Sequence, residues 1–367
     1  MRALGPSSDL GPVLLLRGLT VDRSRPDLDS LAAERDPERF VQRMLPHAAR
    51  SFAASIVMLP RRQAKAASVA YLYCRMLDTY EDLLPDPQAR IRELGAFGER
   101  FATDPPPLPP PLPLEAAGGD RDRVHLLLVE RCGLVDEVYA GLDPADRALI
   151  AGLVRDMAAG MSWATRAFAE QGGVLVDEGQ LTRYCRAVIG LPTVFLLELV
   201  SASEFTEANR EDAMLVSEMV QLANVTRDIE ADLERGVGYH PALSPYLGAG
   251  PSGPEALATV REVRRELIGL ALSRTPAYRR MYEGLALDAK PSVRTAAIVL
   301  LLFTSLHYRG SAASTGYPPW SSPRSRCAVL ARGAPCLLTA GLADRTLRAV
   351  ERDLLRAAAD LAQPVAS

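Results

Sequence analysis

Residues 65–84 read KAASVAYLYCRMLDTYEDLL and contain neither proline nor glycine, so they predict one uninterrupted helix. One face of it carries polar side chains at offsets of 0, 4, 7 and 11: Tyr71, Arg75, Asp78 and Asp82. At about 100° per residue, these four lie within roughly 60° of one another, and the rest of the helix is largely apolar. Burying two like charges unpaired is costly, so a positive group should lie against Asp78 and Asp82.

A second stretch, MLVSEMVQLANVTRDIEADLERG at 214–236, has the same character. Its polar stripe falls at offsets of 0, 3, 7 and 11 and consists of Gln221, Asn224, Asp228 and Asp232. If the two stripes face each other, four carboxylates and an amide oxygen converge on one cleft. Such an all-oxygen ligand set suits Mg2+ rather than Zn2+. Arg75 and Arg227 lie beside the acids, and Mg2+ together with arginines binds diphosphate.

Either stripe alone could be a solvated helix face, since two aspartates at this spacing are common by chance. Here, however, both stripes are backed by apolar residues and both lie beside an arginine. The pair therefore favours a metal and diphosphate site over a solvated surface.

Five segments, taken in order, resemble the motifs of one enzyme family. They are RSFAASIVMLP at 50–60, DTYED at 78–82, GMSWATRAF at 160–168, YCRAVIGLP at 184–192 and QLANVTRDIEADLERGVGYHP at 221–241. DTYED resembles the first aspartate-rich motif of squalene synthases, and the last segment resembles the second motif of squalene and phytoene synthases. The chain is therefore identified by resemblance as a member of the squalene/phytoene synthase family.

This resemblance implies an all-α, single-domain, isoprenoid-synthase-type helical bundle around a central apolar cavity. It implies a prenyltransferase that ionises an allylic isoprenyl diphosphate with Mg2+. The implied metal ligands are Asp78, Glu81, Asp82, Asn224, Asp228 and Asp232. The implied diphosphate-binding residues are Arg50, Ser51, Tyr71, Arg75 and Arg227. Tyr184 matches a family tyrosine near the reacting carbons, and Tyr71 and Tyr184 are the candidate catalytic residues, whose rings could stabilise the cation.

The remaining sequence predicts helices and no convincing strand. We expect residues 1–37 to be poorly ordered, 38–365 to form the catalytic domain, and the proline tract at 105–113 to be an extended surface insertion. The other predicted helices cover 88–102, 123–140, 144–171, 178–203, 254–274, 276–285, 291–308 and 336–362. Gly190-Leu191-Pro192 predicts a kink beside the cavity. The four histidines are scattered and predicted to be structural, except His240 just past the second motif.

Composition excludes several classes of protein. The net charge of −3 gives no basic excess for nucleic acid, and five scattered cysteines suggest neither a disulfide framework nor a zinc site. The apolar runs are too short for a signal peptide or a bilayer span, so we expect a cytoplasmic protein without a transmembrane segment, with peripheral membrane contact as an alternative. Abundant arginine and alanine against two lysines indicate a high-GC bacterial source.

The chain departs from the family pattern at three positions that bear on the identity of the acceptor. Val237 stands where relatives carry an arginine, Ala231 where they carry a glutamate, and Ala187 where they carry an aromatic residue. Because Ala187 removes bulk beside Tyr184, we expect room there for a flat acceptor. We therefore expect transfer to an acceptor without a diphosphate, an aromatic ring of the carbazole kind, in bacterial secondary metabolism. The alternatives are head-to-head condensation of two prenyl diphosphates and a terpene cyclase. A non-catalytic assembly factor is disfavoured, because the chain keeps its aspartates.

Overall fold

The computed structural model describes residues 26–48, 50–201, 205–313 and 323–362. Within this part, the regular elements are helices, joined by one isolated β-bridge between Val174 and Gly238. The α-helices are α1 Leu28–Ala32, α2 Pro37–Ala48, α3 Arg50–Ile56, α4 Arg61–Leu83, α5 Pro87–Glu99, α6 Asp120–Glu130, α7 Cys132–Ala140, α8 Pro144–Glu170, α9 Glu178–Cys185, α10 Leu191–Ser201, α11 Glu207–Glu234, α12 Pro254–Gly284, α13 Pro291–Ala313, α14 Pro323–Gly333 and α15 Ala340–Ala362. The predicted all-α, single-domain bundle is confirmed.

The two helices with acidic stripes are long and well defined at their ends. Helix α4 starts after Pro60 and runs without interruption through the whole predicted segment to Leu83. Helix α11 starts with a capping box, in which Thr206 and Asn209 satisfy each other's backbone N–H groups at 3.1 and 3.2 Å. These boundaries place each stripe on a rigid element that packs against several neighbours.

An apolar cavity lies inside the bundle, between helices α3, α4, α8, α10, α11, α12 and α13. Tyr71 and Cys74 of α4 and Val216 and Val220 of α11 lie on its wall. The helices that carry the acidic stripes therefore also enclose the cavity, which confirms the predicted central apolar space.

The predicted kink is a π-helical turn, Arg186–Gly190, that joins α9 to α10 without ending the helix. A Cβ at Gly190 would lie 2.5 Å from Sδ of Met214 on α11, so the turn depends on glycine to approach that helix. Pro192 follows directly and lines the cavity. The wider turn thus directs the apolar helix α10 along the cavity wall.

Some predicted boundaries are wrong. Residues 254–284 form one helix although Pro276 lies inside it, because the Thr275 hydroxyl donates to the Leu272 carbonyl (2.8 Å) that the proline cannot reach. Residues 120–140 instead form two helices that meet at Arg131, whose guanidinium donates to the Glu34 carbonyl at 2.7 Å.

The predicted irregular segments are only partly described. Helix α1 lies inside the range 1–37 predicted to be poorly ordered, with Asp27 as its N-cap, whereas residues 1–25 lie outside the described part. Between the predicted helices 291–308 and 336–362, helix α13 continues to Ala313, and helix α14, Pro323–Gly333, was not predicted. Residues 314–322 between them also lie outside the described part.

Two helical stretches, Glu178–Ser201 and Pro291–Ala313, are long and apolar enough to cross a membrane by length and composition. Of the apolar windows, 56% and 61% are buried inside the bundle, as in ordinary core helices, so they are a weak indication of a span. The second stretch is longer than the apolar run at 295–303 on which the expectation of no transmembrane segment rested. That expectation stays a prediction.

The proline tract is held at two of its carbonyl groups. Pro107 accepts hydrogen bonds from Arg100 at 2.7 and 3.1 Å, and Pro110 accepts one from the Tyr80 hydroxyl. Arg100, only 1% exposed, also forms a two-pronged ion pair with Asp136 at 2.8 and 2.9 Å. Tyr73 of α4 donates to the same carboxylate at 2.7 Å. One buried arginine thus ties the tract, α7 and α4 together.

We expect Arg100→Met to lower the free energy of unfolding by about 3–5 kcal/mol, because it leaves Asp136 without its buried partner. Arg155→Ala is the control, since it removes an exposed pair with Asp156 and should cost less than about 1 kcal/mol. Urea denaturation followed by circular dichroism measures both. Equal, small effects of the two substitutions would contradict the role assigned to Arg100.

Candidate active site

Each acidic stripe is paired with the arginine of its own helix. On α4, Arg75 lies 3.0 Å from Asp78, donates to the Ala48 carbonyl at 3.2 Å and lies 3.4 Å from the Tyr71 hydroxyl. On α11, Arg227 donates to Asp228 at 2.6 Å. The expected positive partner of Asp78 is therefore the neighbouring Arg75, and both predicted phosphate-binding arginines are already held beside the carboxylates.

Arg235 joins the two stripes. Its guanidinium lies 3.2 Å from Asp82 of α4 and also contacts Asp232 of α11. Asp232 is only 5% exposed, whereas Arg235 is 59% exposed. The two stripes thus face one cleft, and the positive partner of Asp82 is a residue that the sequence analysis did not single out.

The carboxyl groups of this cleft are crowded. Burial, together with the nearby charges of Asp82 and Asp78, raises the pKa of Glu81 to about 8. Burial also raises the pKa of Asp232 to about 6, although Arg235 acts in the opposite direction. Both shifts show that negative charge is disfavoured here and would be relieved by an added cation.

The donor set fits Mg2+ bound together with a ligand. Among the residues that the structure describes, no group of three His, Cys, Asp or Glu side chains could hold a metal ion by itself. Mg2+ commonly takes one or two carboxylates and completes its shell with water and substrate phosphates. The candidate donors are all oxygens: Asp78, Glu81, Asp82, Asn224, Asp228 and Asp232. Their role as metal ligands stays a prediction.

The amides of the second stripe orient Arg227. Asn224 donates to Gln221 at 3.0 Å, which turns its carbonyl oxygen toward Arg227 at 3.3 Å. The ring of His307 on α13 lies 3.1 Å from the same guanidinium. The sequence analysis treated His307 as structural, but its contact with Arg227 brings α13 to the cleft.

Three aromatic rings pack together near the acids. The hydroxyl groups of Tyr184 and Tyr239 lie 3.2 Å apart, and the ring of Phe168 meets both rings edge-on. Burial raises the pKa of each tyrosine well above its usual value, and the charges of Glu81 and Asp232 contribute. Tyr184 therefore faces the cleft as part of an aromatic cluster. Tyr239 was missed because its position depends on a loop rather than on helix spacing.

That loop is held by a close backbone approach. Leu175 donates to Gly238 at 3.0 Å, and Gly238 donates to Gly173 at 2.8 Å, which forms the isolated bridge. Gly173 has a φ of +94°, and a Cβ there would lie 2.4 Å from the Gly236 carbonyl oxygen. The bridge holds the loop against the end of α8 and places the ring of Tyr239 in contact with those of Tyr184 and Phe168.

Ala187 does not leave free space beside Tyr184, so that expectation is wrong. A Cβ at Gly160 would lie 2.5 Å from the Ala187 Cβ, which means that α8 packs directly against Ala187. Ala187 is 7% exposed. The contact of two small residues lets the helices come together and fills the volume that a flat acceptor would need.

A further arginine stands close to the cleft. Arg121 lies in the first turn of α6; burial of its guanidinium in the cleft, and then repulsion from Arg75, lower its pKa, although the residue as a whole is exposed. Asp82 attracts it and Arg235 repels it. Arg121 and Arg235 thus add positive charge near the stripe, although position 237 is a valine. The side chains of Arg50 and Ser51 lie outside the described part.

Solved structures of similar proteins share the fold of this chain. A structure of TcSQS with the ligand E5700 matches with a TM-score of 0.65 and 20% identity, covering 89% of this chain and 99% of that one. A dehydrosqualene synthase in complex with ligand matches with a TM-score of 0.50 and 18% identity, covering 83% and 99%. At these identities the likeness concerns the fold alone.

The squalene/phytoene synthase family model matches residues 45–360, so the chain belongs to that family. Lycopaoctaene synthase of Botryococcus braunii is 29% identical to it over 210 residues, or 54% of this chain. The matched region is 43% of that relative, so the chain matches less than half of the relative's length.

We expect Gly173→Ala to displace the loop that carries Tyr239, because the added methyl group collides with the Gly236 carbonyl oxygen. Gly172→Ala is the matched control: its φ of +67° is also positive, but a Cβ there meets nothing within 4 Å. The control should lose about 1–2 kcal/mol of stability from backbone strain alone, and Gly173→Ala clearly more. Chemical denaturation compares them, and equal losses would contradict the close approach.

Proposed function

We propose that this enzyme condenses two prenyl diphosphates head to head in an Mg2+-dependent reaction. The carbon–oxygen bond of one allylic diphosphate breaks, and diphosphate leaves with the bonding electrons. The double bond of the second molecule attacks the allylic cation and forms the new carbon–carbon bond, and the cation left on the second molecule is neutralised by loss of a proton. The observation that carries the proposal is the cleft in which Arg235 bridges the two acidic stripes, set against an apolar cavity.

Magnesium held by the six candidate ligands would neutralise charge on the departing diphosphate. The arginines are placed to act with it. Arg75 and Arg227 now rest on Asp78 and Asp228, and carboxylates drawn toward a cation would release both guanidinium groups to donate to phosphate oxygens. Arg50 and Ser51, at the start of α3, are proposed to complete the phosphate contacts.

Tyr71 marks the boundary between the diphosphate and the prenyl chain. Its hydroxyl lies 3.4 Å from Arg75, while its side chain lines the apolar cavity. A diphosphate on the arginines would therefore direct its hydrocarbon chain past Tyr71 into a space that excludes water, where an allylic cation survives long enough to be trapped. The electron-rich faces of Tyr71 and Tyr184 are suited to stabilise that cation.

The second substrate is the point on which the alternatives differ. Membership of the squalene/phytoene synthase family and similarity to lycopaoctaene synthase support a second prenyl diphosphate. Arg121 and Arg235 offer the positive charge for it that Val237 lacks. The aromatic, carbazole-like acceptor rested in part on space beside Ala187, and Gly160 fills that space. We therefore prefer head-to-head condensation over aromatic transfer.

Incubation of the purified protein with Mg2+ and farnesyl or geranylgeranyl diphosphate alone tests this choice. We expect a product that joins two prenyl chains, with release of diphosphate, detected by mass spectrometry with and without NADPH. Aromatic acceptors are added in a parallel reaction. A prenylated aromatic product with no coupled product would overturn the proposal in favour of the aromatic branch, and a cyclised single chain would favour a terpene cyclase.

We further propose a cytoplasmic enzyme of bacterial secondary metabolism that contacts membranes only peripherally. The support is compositional: a net charge of −3, and arginine and alanine in place of lysine. Fractionation of the source cells would test the location, and recovery only after detergent extraction would contradict it.

Asp78→Asn and Asp228→Asn should each lower turnover by about a hundredfold or more, because each removes charge that would hold the metal at the leaving group. Asp156→Asn, on an exposed surface, is the control and should leave turnover unchanged. Melting temperature supplies a second readout: Mg2+ with inorganic diphosphate should stabilise the wild type and the control, but not the two site variants. Normal turnover of both at saturating Mg2+ would exclude the metal site.

A further inference from the structure

A second, smaller cavity lies between helices α11, α12, α13 and α15. Tyr278 of α12 and Leu301 of α13 line this cavity and also line the large one. These two side chains therefore form the partition between the two spaces.

The side chain of Tyr278 packs in the partition with no hydrogen bond from the described residues to hold its hydroxyl group. It is 6% exposed, and its hydroxyl has no hydrogen-bond partner among the described residues. Its neighbours in the bundle differ: Tyr308 donates to the Met219 carbonyl at 2.6 Å, and Tyr282 donates to Asp288 at 2.9 Å. Because only apolar packing holds the Tyr278 ring, it can be moved or shortened without breaking a hydrogen bond.

The smaller cavity is suited to hydrocarbon. Its inner wall is formed by Met219, Leu347, Val350 and Leu354. At its rim, Arg279 lies 3.2 Å from Asp344 and 3.4 Å from Glu351, and all three side chains are partly exposed. The space thus extends from the partition toward a charged surface, and it offers no buried cation for a second diphosphate.

We propose that this smaller cavity is a distal subsite for the tail of a long prenyl chain, and that Tyr278 and Leu301 set the longest chain that the large cavity accepts. The inference rests on the proposed function, which places the diphosphate beside Arg75. Tyr71 and Tyr278 line the same cavity, so a chain whose diphosphate lies beside Arg75 enters the space that the partition closes off. A chain that is one isoprene unit too long for the large cavity has to pass Tyr278.

The test measures binding rather than turnover. Unreactive thiolodiphosphate analogues of geranyl, farnesyl, geranylgeranyl and geranylfarnesyl diphosphate are titrated by calorimetry with Mg2+. In the wild type, affinity should rise with chain length to an optimum and then fall. In Tyr278→Ala and Leu301→Ala the optimum should move to a longer chain, which should bind about tenfold more tightly than it binds to the wild type, because its last unit becomes buried.

Two controls separate the partition from general loosening of the fold. Tyr278→Phe keeps the ring and removes only the unpaired hydroxyl, so it should keep the wild-type profile and an equal or higher melting temperature. Adding Leu347→Phe to Tyr278→Ala refills the distal space and should return the optimum to the shorter chain. Melting curves identify any variant that fails to fold, and Leu301→Ala is judged separately from Tyr278→Ala.

The outcomes distinguish this inference from the proposed function. If the wild type binds the analogues but folded Tyr278→Ala and Leu301→Ala keep its length profile, the distal subsite is wrong and the proposed function stands. If the wild type binds none of the prenyl analogues, the proposed function is wrong, and the subsite is overturned with it.

Discussion

Negative charge held inside an apolar bundle is the constraint on which the rest of the structure depends. Helices α4 and α11 carry carboxylates on faces that also enclose a hydrocarbon-lined cavity. Such groups are tolerated only with a counter-charge. Arg75, Arg227 and Arg235 provide it, and Arg235 does so across the gap between the helices. The same ion pairs that stabilise the resting protein are therefore those that an incoming cation and anion would rearrange.

The polar cleft and the apolar cavity adjoin each other at Tyr71. Tyr71 belongs to both, with its hydroxyl at Arg75 and its side chain on the cavity wall. The rest of the cavity wall, which includes Tyr278, is almost wholly apolar. This arrangement suits an amphiphilic substrate, because each portion of it meets surroundings of its own polarity and only one orientation satisfies both.

Helix spacing was enough to predict the all-α fold and the faces of α4 and α11, because one face of a regular helix follows from residue number alone. Arg235 continues the α11 stripe three residues after Asp232 and was within reach of helix spacing, although its contact with Asp82 of α4 was not. The position of Tyr239 could not be predicted, because it depends on a backbone bridge between distant residues. Nor could helix spacing predict that Pro276 stays inside a helix, since that depends on a hydroxyl of the preceding residue. The prediction of open space beside Ala187 was wrong for a third reason. A small residue indicates either a gap or a close contact between helices, and the sequence around Ala187 does not show that Gly160 packs against it.

The proline tract has a mechanical consequence for the cleft. Tyr73 and Tyr80 lie on the side of α4 away from the acidic stripe, and through Asp136 and Pro110 they fasten that helix to a stiff external strap. These contacts fix helix α4 on the side opposite the cleft. If the cleft narrows around a bound ligand, the movement therefore has to come from the end of α11, with Arg235 and the turn that follows it.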